Sequence, residues 1–456
     1  MAGWRETLYR HSPWVVKEWL VAAEALRRNT YRRPGDHERA KRENSLEQYR
    51  TLSVAEIQAI QLQKLQALFR HAREHSPFYR DRLPERMESL EALRNIPILT
   101  KDEVRRNTGA ILADDYDIRK LWKGHTSGST GTPLVYYRDR RGVQTNTAIL
   151  DNFYELYGCR YGERRVRFGG AQVVPADVKK PPYWVYVRPY NQLLMSSYHL
   201  SEETLPLYVQ KFNEFRPKYI VGYGHTIYTV AQHIRQYGGL EVPITCVFTD
   251  SEGVPEEHQR VIEEAFGCPC RADYGLSEMG LIAAQLHDHV YHVFELAYIM
   301  EVVDAAGNPV PDGESGRIIV TDLKQDAMPY IRYDTGDIGA VTRSCDCAYN
   351  SLVLDRIEGR ADDVVVTPAG RRVTRLSYVT KPGRGILESQ IAQTARDRVV
   401  IRVVPAQDFD PTSMEDVLRV ARDVLGSEMR VDWELVEFIP RTQSAKFKHV
   451  VREYQE

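Results

Sequence analysis

The 456-residue sequence has few cysteines, little excess of charge and no long uninterrupted apolar run. Six cysteines in a chain of this length do not make a disulfide-built scaffold, so a reduced, cytoplasmic setting is expected. The 61 basic and 63 acidic residues leave a net charge of −2, which argues against a nucleic acid or an anionic membrane as partner. The most apolar early segment, residues 14–26, is interrupted by Lys17 and Glu24 and is too short to span a bilayer. These absences predict a soluble globular protein, and its length predicts two or more domains.

A run of small polar residues at 125–133 is the most distinctive segment. Gly128 and Gly131 permit turns in which successive N–H groups point the same way, and the hydroxyl side chains add further donors. Strand-forming residues enclose the run, with Trp122 before it and Val135 after it. The segment predicts a hairpin whose loop binds phosphate. The residues expected to do so are Thr126, Ser127, Gly128, Ser129, Thr130, Gly131 and Thr132.

A flexible linker and a Walker P-loop both fit this run less well. A Ser/Gly linker is usually longer, and strand-forming aromatics do not enclose it so closely. A Walker P-loop requires Gly-Lys-Ser/Thr at the start of a helix, whereas Gly131 is followed by Thr132, Pro133 and a predicted strand.

Between residues 219 and 274, short apolar runs alternate with segments of helical periodicity, which predicts a parallel α/β sheet. Ligands of such sheets bind at the carboxyl ends of the strands. The three predicted strands end in residues 222–225, 250–253 and 274–278. We therefore expect these segments to face one crevice, over which the phosphate loop can close.

The sequence after residue 290 changes to hairpin signals, and the segment beyond residue 363 combines strands with a helix predicted over residues 413–425. The fold class is therefore α/β: an N-terminal domain of residues 1–360, with parallel α/β sheets and a β-rich subdomain, and a small α+β C-terminal domain of residues 361–456. His71 and His75 lie one turn apart on a predicted helix and could bind a metal, although a solvated polar face is the simpler interpretation.

Five segments, in this order along the chain, resemble the adenylate-forming superfamily of acyl-CoA synthetases, peptide-synthetase adenylation domains and luciferases. They are residues 126–133, 274–280, 333–337, 359–363 and 440–446. Within that superfamily the chain is most similar to the phenylacetate–CoA ligase family, and to its capsule-biosynthesis-type branch. The signals are LQALFRHAREHSPFY at residues 65–79 and AMPYIRYDTGD at residues 327–337. The resemblance implies a large ATP- and carboxylate-binding domain and a small C-terminal domain that moves between two half-reactions.

The resemblance also assigns a nucleotide site. Glu278 is expected to hold Mg²⁺, with a surface carboxylate as the alternative, and Ser277 to contact the α-phosphate. Tyr274 is expected to stack on adenine. Asp337 is expected to bind the ribose, with a turn cap as the alternative. The other nucleotide positions are Ser251, Glu252, Gly253, Asp273, Gly275, Arg360 on the ribose and Asp362 at the hinge.

Lys446 is the catalytic lysine that the resemblance implies, because a flexible ammonium can reach the developing charge of the transition state; an ordinary exposed lysine is the alternative. The family usually has glycine before it, and Ala445 stands there in this chain. His225 is expected to orient the carboxylate or act as a base, with a neutral histidine at a helix start as the alternative. The expected acyl pocket consists of Tyr223, Gly224, His225, Gly170, Ala171, Tyr198 and Gly280.

Relatives in this branch often carry a structural zinc site, for which His292, Cys345 and Cys347 are the candidates here. Gln285 stands at the position of a further cysteine, so three ligands are short of a closed tetrahedral site unless His287 or His289 contributes.

The function expected is that of an ATP-dependent, AMP-forming ligase that activates an aryl or acyl carboxylate and passes it to CoA. One alternative keeps the adenylation and transfers the acyl group to an amine, a hydroxyl or a carrier-protein thiol. A second alternative is a degenerate nucleotide-binding protein, which would be expected to have lost Glu278, Asp337 or Lys446.

Overall fold

A computed structural model describes residues 9, 12–28, 35–126, 134–169, 173–175, 178–360, 365–373, 376–442 and 447–454. The chain divides into two compact units, Met1–Thr335 with Gly339–Arg356, and Gly336–Ile338 with Ile357–Glu456. The predicted boundary between residues 360 and 361 lies near the change of unit at Ile357. Within the described ranges, no helix has the length and apolar character needed to cross a membrane.

Nine α-helices are described in the first unit. They are α1 (Trp14–Arg28), α2 (Asp36–Glu43), α3 (Gln48–Thr51), α4 (Val54–His75), α5 (Lys101–Ile111), α6 (Arg140–Leu156), α7 (Leu205–Phe215), α8 (Gly224–Tyr237) and α9 (Glu256–Phe266). Helix α4 begins at a capping box, because the Ser53 hydroxyl accepts from the Glu56 N–H and the Glu56 carboxylate accepts from the Ser53 N–H. Gly267, with φ of 64°, ends α9 in the left-handed conformation typical of a C-terminal glycine.

The described strands up to residue 360 form a hairpin and a larger sheet. They are β1 (Trp122–His125), β2 (Val135–Arg138), β3 (Arg165–Gly169), β4 (Trp184–Val187), β5 (Gln192–Ser196), β6 (Tyr219–Tyr223), β7 (Cys246–Asp250), β8 (Cys270–Leu276), β9 (Gly280–His287), β10 (Val290–Val293), β11 (Tyr298–Val303), β12 (Gly316–Asp322), β13 (Tyr333–Thr342) and β14 (Val353–Arg360). Strands β1 and β2 pair with each other. The larger sheet has the order β11-β12-β13-β14-β10-β9-β8-β7-β6-β3-β5-β4.

The centre of the larger sheet is parallel, as predicted. β5, β3, β6, β7 and β8 run parallel to their neighbours in this series, so their carboxyl ends lie along one edge. Strand β9 is antiparallel to β8, and β10 is antiparallel to β9. The expected α/β class, with a β-rich part that follows the parallel strands, is confirmed.

Apolar side chains pack both faces of the parallel strands. On one face, Phe212 of α7 and Ile227 of α8 belong to a buried cluster with Ile220 and Val247 of the sheet. On the other face, Tyr154 of α6 packs against Phe248, with ring centroids 4.4 Å apart. This burial of strands on two sides explains why they are continuous apolar runs in the sequence.

The second unit has its own core. Its described elements are β15 (Val365–Val366), β16 (Arg372–Val373), β17 (Arg384–Ala395), β18 (Arg398–Asp410), α10 (Met414–Leu425), β19 (Arg430–Leu435) and β20 (Val450–Arg452). The four longer strands form a sheet in the order β19-β18-β17-β20. Val417 and Ala421 of α10 are buried with Val399 and Ile401 of β18, as expected for a small α+β unit.

Candidate active site

The predicted hairpin around the phosphate loop is present up to the edge of the loop. β1 and β2 pair antiparallel, with His125 opposite Val135. The Thr126 N–H donates to the Leu134 carbonyl at 2.9 Å, and the Leu134 N–H donates to the Thr126 hydroxyl oxygen at 3.0 Å. The loop therefore starts and ends at two buried residues, Thr126 and Leu134, which two hydrogen bonds hold together. The predicted residues Ser127, Gly128, Ser129, Thr130, Gly131 and Thr132 lie outside the described residues.

Arg138 fastens the base of this hairpin to the turn that carries Glu278. Its side chain is buried, with Nε donating to the Glu278 carbonyl at 3.1 Å and Nη2 donating to the Ser277 carbonyl. The guanidinium also lies 5.4 Å from the ring centroid of Tyr136 on the same strand. Arg138 was not predicted from the sequence. An arginine in a strand of otherwise apolar and aromatic residues was the available signal.

Glu278 lies in the turn between β8 and β9, and its side chain is buried. The Tyr333 hydroxyl donates to Glu278 Oε1 at 2.7 Å. Burial, and secondarily the Glu278 charge, raise the pKa of Tyr333, so this hydroxyl keeps its proton and remains a donor. Among the described residues, the hydrogen bond to this carboxylate is the one that Oε1 accepts from Tyr333.

Two glycines give this turn its shape. A Cβ on Gly275 would lie 2.3 Å from the Gly280 carbonyl oxygen, so the strands can approach this closely only without a side chain. Gly280 has φ of 89°, and a Cβ there would lie 2.0 Å from Asn146 Oδ1. Asn146 Oδ1 accepts from the Leu281 N–H at 2.8 Å, so α6 also holds the turn. Asn146 was not predicted, because nothing in its local sequence indicates this contact.

Charged residues converge at the carboxyl ends of β3, β7 and β8. Arg167 Nη2 donates to Asp250 Oδ2 at 2.7 Å. Burial raises the pKa of Asp273 well above its usual range, the Asp250 charge raises it further, and Arg167 opposes both effects. Asp273 is thus held towards its neutral form beside a charged pair. Tyr274, the next residue, is buried in β8 opposite Ala283.

The predicted adenine segment follows Asp250. Ser251 has φ of 65°, a left-handed conformation uncommon for serine, and the Glu252 N–H donates to the Asp250 carbonyl at 2.8 Å. This tight turn directs Glu252 towards helix α8, where the His225 N–H donates to Glu252 Oε2 at 3.3 Å. Gly253, the last residue of the segment, is exposed.

Tyr223, His225 and Tyr198, which were predicted for the acyl pocket, lie at this same edge. Tyr223 ends β6 and is buried, which raises its pKa, and His225 is buried in the first turn of α8. Gly224 is needed between them, because a Cβ there would lie 1.9 Å from Val254 Cγ2. Tyr198 is half-buried just after β5. Gly170 and Ala171 lie outside the described residues.

The remaining predicted nucleotide residues belong to the second unit. Asp337 is buried in β13 and follows Gly336, which has φ of 77°. Arg360 is the last residue of β14, and only its backbone is described. Asp362 and Lys446 lie outside the described residues.

The three candidate zinc ligands do come together. His292 Nε2 lies 3.7 Å from Cys347 Sγ, and burial lowers the pKa of His292 to about 4, which keeps the imidazole neutral. The two cysteine sulfurs, however, are joined as a disulfide, and zinc requires free thiolates.

The residues that could complete the zinc site have other contacts. His289 lies 3.4 Å from Glu256, and His287 lies 3.6 Å from Asp288. Gln285 Oε1 accepts from the Ala272 N–H at 2.7 Å. The described residues therefore do not supply the four ligands of a closed zinc site, and zinc stays a prediction.

Comparison with known proteins identifies the relatives of this chain. Residues 365–453 match the family model described as the CapK C-terminal domain. Protein CapK of Staphylococcus aureus is 27% identical over 405 residues, which cover 86% of this chain and 88% of that protein. The phenylacetate–coenzyme A ligase of Thermus thermophilus is 25% identical over 332 residues, covering 69% of this chain and 73% of the ligase.

The fold is also that of solved enzymes. A crystal structure of 2-hydroxyisobutyryl-CoA ligase, in the postadenylation state with an acyl-adenylate, matches with a TM-score of 0.71 at 20% identity, over 89% of this chain and 91% of the ligase. The chain is therefore a homologue of CapK and of phenylacetate–CoA ligases, and it has the fold of adenylate-forming CoA ligases. The resemblance found in the sequence is confirmed.

Proposed function

We propose that this protein is an AMP-forming acid–thiol ligase. A carboxylate oxygen of the substrate bonds to the α-phosphorus of ATP, and pyrophosphate leaves. The thiol of CoA then bonds to the acyl carbon of the acyl-adenylate, and AMP leaves. The homology to phenylacetate–CoA ligases supports this pair of reactions. The observation that carries the proposal is the junction at Arg138, which makes the stem of the Ser/Thr/Gly loop and the Glu278 turn one continuous structure.

Glu278 is the residue that would hold Mg²⁺. A hard cation shared with phosphates usually takes one or two protein carboxylates, and this one is buried with Tyr333 fixing one of its oxygens. When bound there, Mg²⁺ would supply positive charge beside the phosphates. Arg138 donates through Nε and Nη2 to backbone carbonyls of the same turn. It acts as a positioning residue.

The phosphate end of the site would be supplied by the hairpin loop that starts at Thr126. Its serines, threonines and glycines offer hydroxyl and backbone donors to the departing pyrophosphate. Ser277, whose carbonyl is held by Arg138, would present its hydroxyl to the α-phosphate, and Lys446 would reach the same oxygens from the small C-terminal domain. The adenosine would be bound by Ser251, Glu252, Gly253, Asp273, Tyr274, Gly275, Asp337 and Arg360, with Asp362 as the hinge.

The carboxylate substrate would lie at the ends of β5, β6 and β8. His225 is positioned there through the Glu252 carboxylate, which accepts from its backbone N–H, and would orient the substrate carboxylate. Tyr223 and Tyr198 would form aromatic walls suited to an aryl or acyl group. Gly170 and Ala171 would leave room beside them. Gly224 and Gly280, also predicted for this pocket, allow the close packing against Val254 and Asn146.

ATP–pyrophosphate exchange across a panel of aryl and alkyl carboxylates tests the first half-reaction. We expect exchange with one class of acid, and its loss in Lys446→Ala and Glu278→Gln while ATP binding persists in Lys446→Ala. Lys448→Ala, two residues away, is the matched control and should retain exchange. Exchange with no acid would refute the proposal. If exchange occurs, product analysis with CoA, amines and hydroxyl acceptors then tests the acceptor.

A further inference from the structure

A cluster of metal-ligating side chains lies at the end of helix α4, apart from the candidate active site. His71 and His75 are one turn apart, and their ring centroids are 4.8 Å apart. One ligand atom from each of His71, His75 and Asp115 lies within 4.8 Å of the others. Two histidines spaced four residues apart on one helix face, joined by a carboxylate, form a common arrangement for a divalent transition metal.

The histidines of the cluster hydrogen-bond carboxylates, as metal-binding histidines usually do through their second ring nitrogen. His75 Nδ1 lies 3.1 Å from Asp114 Oδ1, so this carboxylate can hold the ring through one nitrogen and leave the other for a cation. His71 Nε2 lies 3.1 Å from Asp115 Oδ2, whereas His71 Nδ1 is buried without a recorded hydrogen-bond partner.

The surrounding charge favours a cation. Asp114 and Asp115 flank the two imidazoles, and Glu74 Oε1 lies 3.8 Å from His75 Nε2. Asp326 lies close enough for its charge to interact with His71. The basic group recorded near Asp114 is Arg80, at 4.0 Å, and its side chain is half exposed. Four carboxylates therefore lie around the two rings, although Asp326 is itself paired with Arg141 at 3.1 Å.

We propose that His71, His75 and Asp115 bind a divalent transition metal such as Zn²⁺, with Asp114 as the outer partner of His75. The metal would fasten the end of α4 to residues 113–117, a segment that leads to β1 and the phosphate loop. A backbone hydrogen bond already joins these parts, since the Asp114 N–H donates to the His75 carbonyl at 2.9 Å. The role inferred is structural, and the proposal does not depend on the proposed ligase activity.

Zinc titration of the full-length protein, after removal of metal with a chelator, tests the proposal. The titration uses the double variant Cys345→Ser/Cys347→Ser, so that these cysteines cannot bind the metal. If that variant folds poorly, Co²⁺ spectra of the wild type provide a second measurement. We expect one equivalent to bind, with a dissociation constant at least tenfold weaker in both His71→Asn and His75→Asn. His233→Asn, which removes a histidine from another helix, should leave the constant unchanged.

Unchanged affinity in either cluster variant would overturn the proposal, as would a wild type that binds no metal. In the Co²⁺ spectra, a signal with sulfur-to-metal charge transfer that persists in His71→Asn would assign the ion to the cysteine cluster and would also overturn it. Circular dichroism of each variant separates loss of ligand from loss of fold.

Discussion

Removal of the Tyr333 hydroxyl tests how the Glu278 carboxylate is held. The 2.7 Å bond from this hydroxyl to Glu278 lies in a buried environment, and a hydrogen bond to a charged group contributes about 1.5–3 kcal/mol. We expect Tyr333→Phe to lower the free energy of unfolding by about that amount in urea titrations without Mg²⁺. Tyr330→Phe is the matched control, because Tyr330 is equally buried and its hydroxyl has only a 3.6 Å contact to the Met328 sulfur.

The same two variants test whether the Tyr333 hydroxyl positions Glu278 for a metal ion or only stabilises the fold. Loss of the outer partner of a metal ligand typically weakens metal affinity about 10–100-fold. Tyr333→Phe should therefore need about 10–100 times more Mg²⁺ for half-maximal ATP–pyrophosphate exchange, and recover at saturating Mg²⁺. Tyr330→Phe should follow the wild-type Mg²⁺ curve. An identical Mg²⁺ requirement in Tyr333→Phe and the wild type would refute the assignment of Glu278 as the magnesium ligand.

Three further changes probe the same unit. Arg138→Met should lower the free energy of unfolding by about 3 kcal/mol or more and abolish exchange, because it removes two charge-assisted bonds; retained exchange would contradict the role of the junction. Gly280→Ala places a side chain at a φ of 89° and in a steric clash, whereas Gly313→Ala has a φ of 80° and open space around it. In urea titrations, Gly313→Ala should lower the free energy of unfolding by about 1–2 kcal/mol, and Gly280→Ala should lower it by more. Equal losses in the two variants would exclude the clash. Burial lowers the pKa of Lys324 from 10.5 to about 8. Between pH 8 and 10.5 the unfolded chain therefore binds more protons than the folded chain, and the free energy of unfolding should rise with pH. From pH 8 to 10.5, the free energy of unfolding of the wild type should increase by about 3 kcal/mol more than that of the double variant Lys324→Met/Asp322→Asn. The same pH dependence in both proteins would contradict this.

The parallel strands and their helices could be predicted because their signals are local. Residues 219–276 alternate between apolar runs and helical periodicity, and Ser53 with Glu56 specifies a capping box within four residues. The strand-forming residues around the phosphate loop likewise specify a hairpin by themselves.

The contacts that organise the candidate site could not be predicted, because their partners are distant in the chain. Arg138 bonds to carbonyls about 140 positions away, and a carbonyl has no side-chain signature. Asn146 contacts the Leu281 N–H across a similar separation. The pairing of Cys345 with Cys347 was also not anticipated, since a Cys-x-Cys spacing suits a metal as well as a disulfide.

The burial of Glu278 connects the fold to the proposed chemistry. A buried carboxylate is costly unless charge or hydrogen bonds compensate it, and within the described part of the chain the side-chain donor to Glu278 is the Tyr333 phenol. Arg138 donates to the Ser277 and Glu278 carbonyls, so it fixes the backbone of this turn. The carboxylate is thus buried at a turn that two glycines and Asn146 hold in one shape. A divalent cation bound with nucleotide phosphates would place positive charge beside this carboxylate, so the turn would favour binding of the magnesium–nucleotide complex.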